Sequence, residues 1–145
     1  MTMQAKDLMI GDWVNYHDDD KIVPKQVSEI TNYKQLQLHD KSNWIIVGEK
    51  YCEPIPLTAE ILEKNGFVHR QSVTWGDIFT YTYAIIQKDK VLQYEQYFNL
   101  SPHPYDGSGF YWIPEMSAVS ALLVVYVHEL QHLLRLCGID KEINL

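Results

Sequence analysis

The chain has 145 residues, 46% hydrophobic and 21% charged, a composition of one ordinary globular domain or two small modules rather than of a disordered segment. Nineteen acidic residues against twelve basic ones give a formal charge of −7. No basic cluster larger than Lys88 and Lys90 reverses that sign locally, which argues against nucleic-acid binding and against docking on anionic membranes.

Residues 7–56 read as a run of short strands. Leu8 to Tyr16 gives the first, with Gly11-Asp12 as a bulge. A polar turn at His17-Asp18-Asp19-Asp20-Lys21 follows, then Val27 to Ile30, Leu36 to His39 and Trp44 to Val47. Short, closely spaced strands rich in Val, Ile and Trp predict a small barrel. The turn lacks the D-x-D-x-D-G spacing and distal Glu of a calcium loop, so it reads as a hairpin connection.

Thr58 is the expected N-cap of a short helix over Ala59 to Lys64, and Asn65-Gly66 suits a left-handed C-cap with Phe67 as the contact beyond it. From Val68 the pattern returns to strands. Val73 to Ile86 alternates, with Val73, Trp75, Phe79, Tyr81, Tyr83 and Ile85 on one face and threonines on the other. Lys88-Asp89-Lys90 turns the chain, and Val91 to Leu100 alternates again. Ser101 to Gly109 is a loop, and Phe110 to Ile113 resumes a strand. Ala118 to Val127, apolar on both faces and rich in Val, predicts a central strand, with helix as the alternative. His128 to Cys137 is a helix with Leu130, Leu133, Leu134 and Cys137 on one face. Gly138 caps it, and Glu142 to Leu145 adds a terminal strand. The expected fold is α+β: an N-terminal SH3-like small β-barrel, a linking short helix, then an antiparallel sheet packed by the C-terminal helix. The division is 1–56 and 57–145, with one continuous domain left open.

One stretch spells a catalytic pattern. His128-Glu129-Leu130-Gln131-His132 is H-E-x-x-H, which places two imidazoles one helical turn apart where both can reach one zinc ion. The glutamate between them can then activate a metal-bound water. On the wheel His128 and His132 share the exposed face, with Arg135 on the same face and Glu129 at its border. A catalytic zinc needs a third protein ligand. The position six residues after the second His is Gly138, Arg135 stands where the metzincin pattern has glycine, and only thirteen residues follow His132. Asp140 and Glu142 downstream match no known zincin spacing, and an upstream ligand such as His103 or Asp106 would be an unusual order. Arg135 also opposes a cation electrostatically. The helix therefore reads first as an amphipathic one with a polar side.

The aromatic face carrying Trp75 is first the core side of a sheet, and second a platform for a planar ligand. Tyr105 and Asp106 sit in a loop long enough to be a binding loop, and Trp112 follows it. Trp75, Tyr105, Asp106 and Trp112 are the ligand-binding candidates. Cys52 and Cys137 indicate no disulfide framework, and Cys137 is expected to face the core as an inert thiol. No apolar run has signal-peptide or membrane-span length, so the expected setting is cytoplasmic.

Three stretches together resemble a known group: Ala5-Lys6-Asp7-Leu8-Met9-Ile10-Gly11-Asp12-Trp13-Val14, Glu53 to Phe67, and Tyr126-Val127-His128-Glu129-Leu130-Gln131 to Gly138. Their order and spacing resemble a family of short, uncharacterised proteins encoded by gut anaerobes, their mobile elements and phages. The opening stretch also resembles the first strand of SH3-like barrels. The family carries no assigned activity, so the resemblance implies no catalytic residues. Its setting implies an accessory role in phage–host conflict, mobile-element maintenance or host takeover.

The leading expectation is a non-catalytic binding module that uses no metal or other cofactor. It would hold a partner protein or a small molecule such as a nucleotide signal, without nucleic acid or membrane, and self-association into a homo-oligomer stays open. The alternative is a zinc hydrolase with His128 and His132 as ligands and Glu129 as general base.

Overall fold

Tight hairpins build the first half of the chain. In the computed structural model, which describes residues 3–32, 34–74, 78–88, 95–102, 109–112 and 122–145, β1 (Trp13–Asp18) runs antiparallel to β2 (Lys21–Asn32). They are joined by Asp19-Asp20, where Asp19 takes a φ of 51° that aspartate tolerates. This is the polar turn expected over residues 17–21. The strand β2 is longer than expected and shifts register against β3 (Gln35–His39) between Val27 and Glu29 and again between Ile30 and Asn32. Such bulges bend a strand and increase its twist. Ser28 and Thr31, at the shifts, donate their hydroxyls to the carbonyls of Gln37 and Gln35.

The meander continues through β4 (Trp44–Gly48) and a 3-10 turn at Glu49–Tyr51 to β5 (Cys52–Pro54), which returns to pair with β1. The sheet order is β4-β3-β2-β1-β5. The strands β4 and β5 are its two edges, so this is an open antiparallel sheet and not a closed barrel. Its core is a cluster of Met3, Ala5, Leu8, Val14, Val27, Leu36, Leu38 and Cys52, with Tyr16, Ile45 and Val47 packed against it.

The expected first strand begins later than its sequence pattern. Ala5–Asp7 is a 3-10 turn, and the bulge expected at Gly11-Asp12 is a turn ahead of β1. Gly11 has φ +92° there, and the Asp12 N–H donates to the Met9 carbonyl. The glycine permits this left-handed conformation, which an alternating pattern does not reveal.

Contacts divide the chain into two compact units, residues 1–56 with 126–140, and residues 57–125 with 141–145. The second unit holds the helix α1 (Ala59–Lys64), capped as expected by the Thr58 hydroxyl, which accepts from the Ile61 N–H at 3.2 Å. Its sheet is also an antiparallel meander, in the order β10-β9-β8-β7-β6. The members are β6 (Val68–Thr74), β7 (Ile78–Lys88), β8 (Glu95–Pro102), β9 (Phe110–Trp112) and β10 (Leu122–Val124).

Three sequence expectations differ from the structure. The single strand expected from Val73 to Ile86 is two strands that pair with each other, with Thr74 opposite Ile78. Period-two alternation marks which face a side chain takes and not where the chain reverses. The central strand expected from Ala118 to Val127 is, where described, the short edge strand β10, with Leu122 and Leu123 exposed. Residues 139–145 form no strand. Instead the Asn65 side chain pairs with the backbone of Asn144, donating from Nδ2 to its carbonyl at 2.8 Å and accepting its N–H at 2.7 Å.

The C-terminal helix α2 (Val127–Leu136) belongs with the first unit rather than on the second sheet as the sequence suggested. Its polar side chains make long-range bonds to the chain entering β1, which the hydrophobic pattern alone does not register. Among the described residues, no helix is long and apolar enough to cross a membrane.

Candidate functional site

The helix α2 starts where Tyr126, still extended, gives way to helical backbone. The Glu129 carboxylate reaches back to accept the Tyr126 N–H at 3.0 Å. An acid in the third helical position satisfies a donor that the first turn leaves orphaned, and it complements the positive end of the helix. The glutamate of the H-E-x-x-H stretch is therefore engaged as a helix cap. Arg135, in the last turn, suits the opposite end of the dipole.

Of the remaining helix residues, Leu130, Leu133 and Leu134 are buried as the apolar spacing predicts, together with Val127. His128 and Gln131 are buried too, at 9% and 7% exposure, so the two histidines do not share an exposed face. A wheel with one buried stripe places them in solvent, whereas this helix buries a second side. Cys137, expected in the core, is exposed, as is Leu136. The helix ends there at Gly138 with φ +71°, and its C-terminal side chains fall beyond the buried stripe.

Gln131 and His132 tie the helix to the chain ahead of β1. Gln131 accepts the Trp13 N–H at 2.9 Å and donates to the Gly11 carbonyl at 2.9 Å. Asp12 is fully buried. Its Oδ2 lies 2.6 Å from His132 Nε2 and accepts the Met9 N–H at 2.7 Å, while Arg135 donates to its Oδ1 at 3.3 Å. Arg135 also donates to the Ile10 carbonyl at 3.1 Å. A buried carboxylate is stable only when its lone pairs are met by donors and its charge is offset. Here His132 and Arg135, 120 and 123 positions away in the chain, meet its two oxygens, and the guanidinium offsets its charge. A Cβ on Gly11 would stand 3.1 Å from Arg135 Nη2, so the glycine also leaves room for the guanidinium.

His128 is held differently. Its ring stacks on Tyr126, with centroids 5.9 Å apart and planes inclined by 10°, and meets His132 edge to face at 5.7 Å. Its Nδ1 is buried without a hydrogen-bond partner. Burial pushes its pKa below the ordinary 6.5, against the opposing pull of the Asp12 and Glu129 carboxylates. The imidazole is accordingly neutral at pH 7.

Beside these groups lies a cavity of about 260 Å³. Tyr126, His128, Glu129 and His132 form the helix side, and Met3, Asp7 and Pro54 close it from the sheet unit. Tyr126 and the three residues of the H-E-x-x-H pattern thus come together with an N-terminal acid and two apolar side chains. Among the described residues, no group of three or more His, Cys, Asp or Glu is arranged to hold a metal ion. His132 Nε2, one of the two ring nitrogens a zinc ion could use, is taken up by Asp12.

The other candidates fare unevenly. Trp75, Tyr105 and Asp106 lie outside the described residues, as does His103. Trp112 is half-buried in β9 and stacks on Phe98 at 6.1 Å, which in turn meets Phe67 edge to face at 6.3 Å. Sequence reasoning missed Asp7, Asp12 and Gln131. Asp12 carried one signal, an acid set inside the otherwise apolar run from Leu8 to Val14. Gln131, one of the unspecified positions of the motif, carried none.

No protein-family model matches the chain, and no curated protein or solved structure is detectably similar to it.

Proposed function

We propose that the protein is a binding module that takes a small molecule into the cavity beside the first turns of α2, without catalysing a reaction on it. The observation that carries this reading is the cavity wall. It stacks the Tyr126 ring on a neutral, nine-tenths-buried imidazole, His128, among apolar and acidic side chains. Concave apolar sites with a few polar groups are where small ligands bind. The two groups most suggestive of hydrolysis, Glu129 and His132 Nε2, already have structural partners. At about 260 Å³ the cavity suits a ligand smaller than a drug-sized one, so a whole nucleotide is a poor fit to it.

Mass spectrometry of small molecules released by denaturing the protein, purified from its native cells, tests this. A stoichiometric compound that is absent from a His128→Phe preparation supports the reading. A clean wild-type preparation that also binds nothing in a small-molecule thermal-shift screen sinks it. The zinc-hydrolase alternative keeps one support, the edge-to-face histidine pair at a shared cavity. It requires His132 to ligate through Nδ1 with Asp12 on Nε2, or Asp12 to release Nε2, and near-stoichiometric zinc in tag-free protein would establish it over the binding reading.

We read the first sheet as an opened relative of SH3-like modules, supported by the return of β5 to β1 and by the long bulged β2. The accessory role in a phage or mobile-element setting rests on the three resembling stretches. It is tested by whether deleting the gene changes phage yield or element retention while leaving growth unaltered.

A further inference from the structure

We propose that the ligand of this cavity is a small organic cation, a protonated amine on a short aromatic or apolar body. The inference rests on the binding reading above and adds the chemical class. Four of the lining side chains offer apolar or flat surface: Met3, Pro54, Tyr126 and His128. Two of the remaining three are carboxylates, Asp7 and Glu129, and no lining residue is Lys or Arg. The fixed charges of the wall are therefore the two carboxylates, and an anionic ligand would meet their repulsion in a partly desolvated site.

The acids differ in their state. Glu129 is held as the helix cap. Asp7 is exposed at the end of its 3-10 turn, and its carboxylate makes no hydrogen bond or ion pair among the described residues. A carboxylate at a cavity edge, with no cation of its own to neutralise it, is a natural counter-ion for a bound ammonium. The nearest fixed cation of α2, Arg135, is committed to Asp12 and the Ile10 carbonyl. The second, independent observation is the Tyr126–His128 pair, two rings stacked with centroids 5.9 Å apart that both line the cavity. Aromatic faces at Tyr126 and His128 attract a cation or stack on a ring.

Three matched probes separate the possibilities: phenethylamine, 2-phenylethanol and phenylacetate, alike in body and different in charge. They are titrated into the full chain by calorimetry, with the ring-proton resonances of His128 and His132 reporting the location. The expected order is phenethylamine tightest, the alcohol weaker and phenylacetate weakest, with both histidine signals moving. Asp7→Asn, a surface change, should weaken phenethylamine about fivefold and leave the alcohol unchanged, as one solvent-facing charge contact implies. Phenylacetate binding as tightly as the amine, or an amine affinity indifferent to Asp7→Asn, overturns the cation assignment while leaving the cavity as a binding site. Failure of all three probes to bind or to move the histidine signals overturns the cation assignment and the binding reading together.

Discussion

Replacing Asp12 by alanine removes the group on which α2 and the entry to β1 converge. The substitution strands the Met9 N–H, the His132 ring and the Arg135 guanidinium, whose bonds to Asp12 are 2.7, 2.6 and 3.3 Å long. Of these, the Arg135 pair contributes least, because its side chain is 39% exposed and the contact is long. The charge-assisted bond to His132 and the bond from the Met9 amide dominate, since the carboxylate itself has no solvent exposure. Together they put the loss at about 3 kcal/mol, near the lower end for breaking one side of a buried pair. With a urea m-value of roughly 1.5 kcal/mol/M for a unit of this size, the midpoint should fall by about 2 M. Urea unfolding followed by circular dichroism measures it. Asp12→Asn should cost less, because it keeps an acceptor for the Met9 amide. A double-mutant cycle of Asp12→Asn with His132→Gln should show a coupling of about 1–2 kcal/mol. A loss below 1 kcal/mol for the alanine variant, or strict additivity in the cycle, would mean that the Asp12–His132 contact does not hold the helix.

Other outcomes follow from single residues. His128 binds a proton less readily in the folded state than in the unfolded chain, so it favours folding above pH 6.5 and progressively less as the pH falls below that value. Melting temperatures at pH 7.5 and 5.5 should therefore drop less in His128→Phe than in the wild type, and at pH 7.5 the variant should be more stable by about 1 kcal/mol. Gly11→Ala must hold a φ of +92° and crowd Arg135, for an expected loss of about 1–3 kcal/mol in thermal unfolding. Burial pushes the Cys52 thiol up to about 11, so iodoacetamide at pH 8 should label Cys137 alone in the native protein and both thiols in urea. Asn65→Ala loses the two bonds to Asn144 and one to the Ile61 carbonyl, so carboxypeptidase should release residues 141–145 faster from the variant than from the wild type.

Local patterns in the sequence told truly where the cause was local. Thr58, Asn65-Gly66 and the aspartate turn after β1 are sterically determined within a few residues, and each sits where the sequence places it. The Leu130, Leu133 and Leu134 stripe followed the helical period for the same reason. The candidate site was less legible because its bonds span about 120 positions. Nothing near Asp12 announces that His132 will bond to it, and nothing near Gln131 announces that it will complete the backbone bonding of Gly11 and Trp13. The H-E-x-x-H spacing was visible, but spacing alone gives only which side chains are one turn apart. Which of those atoms already have partners depends on the strand they meet.

The first unit is assembled from two pieces, residues 1–56 and 126–140, separated by the whole second sheet. On a chain emerging from the ribosome, the first sheet is made well before the helix that bonds to it. Until residues 126–140 appear, Asp12 has neither His132 nor Arg135, and a carboxylate that the native fold fully buries has only the Met9 amide to meet it. Such a sheet has reason to stay loosely closed around residues 8–13, with its final order delayed until late in synthesis. Truncation before Tyr126 should thus leave a first sheet prone to opening at its N-terminal turn, even though every one of its strands is present.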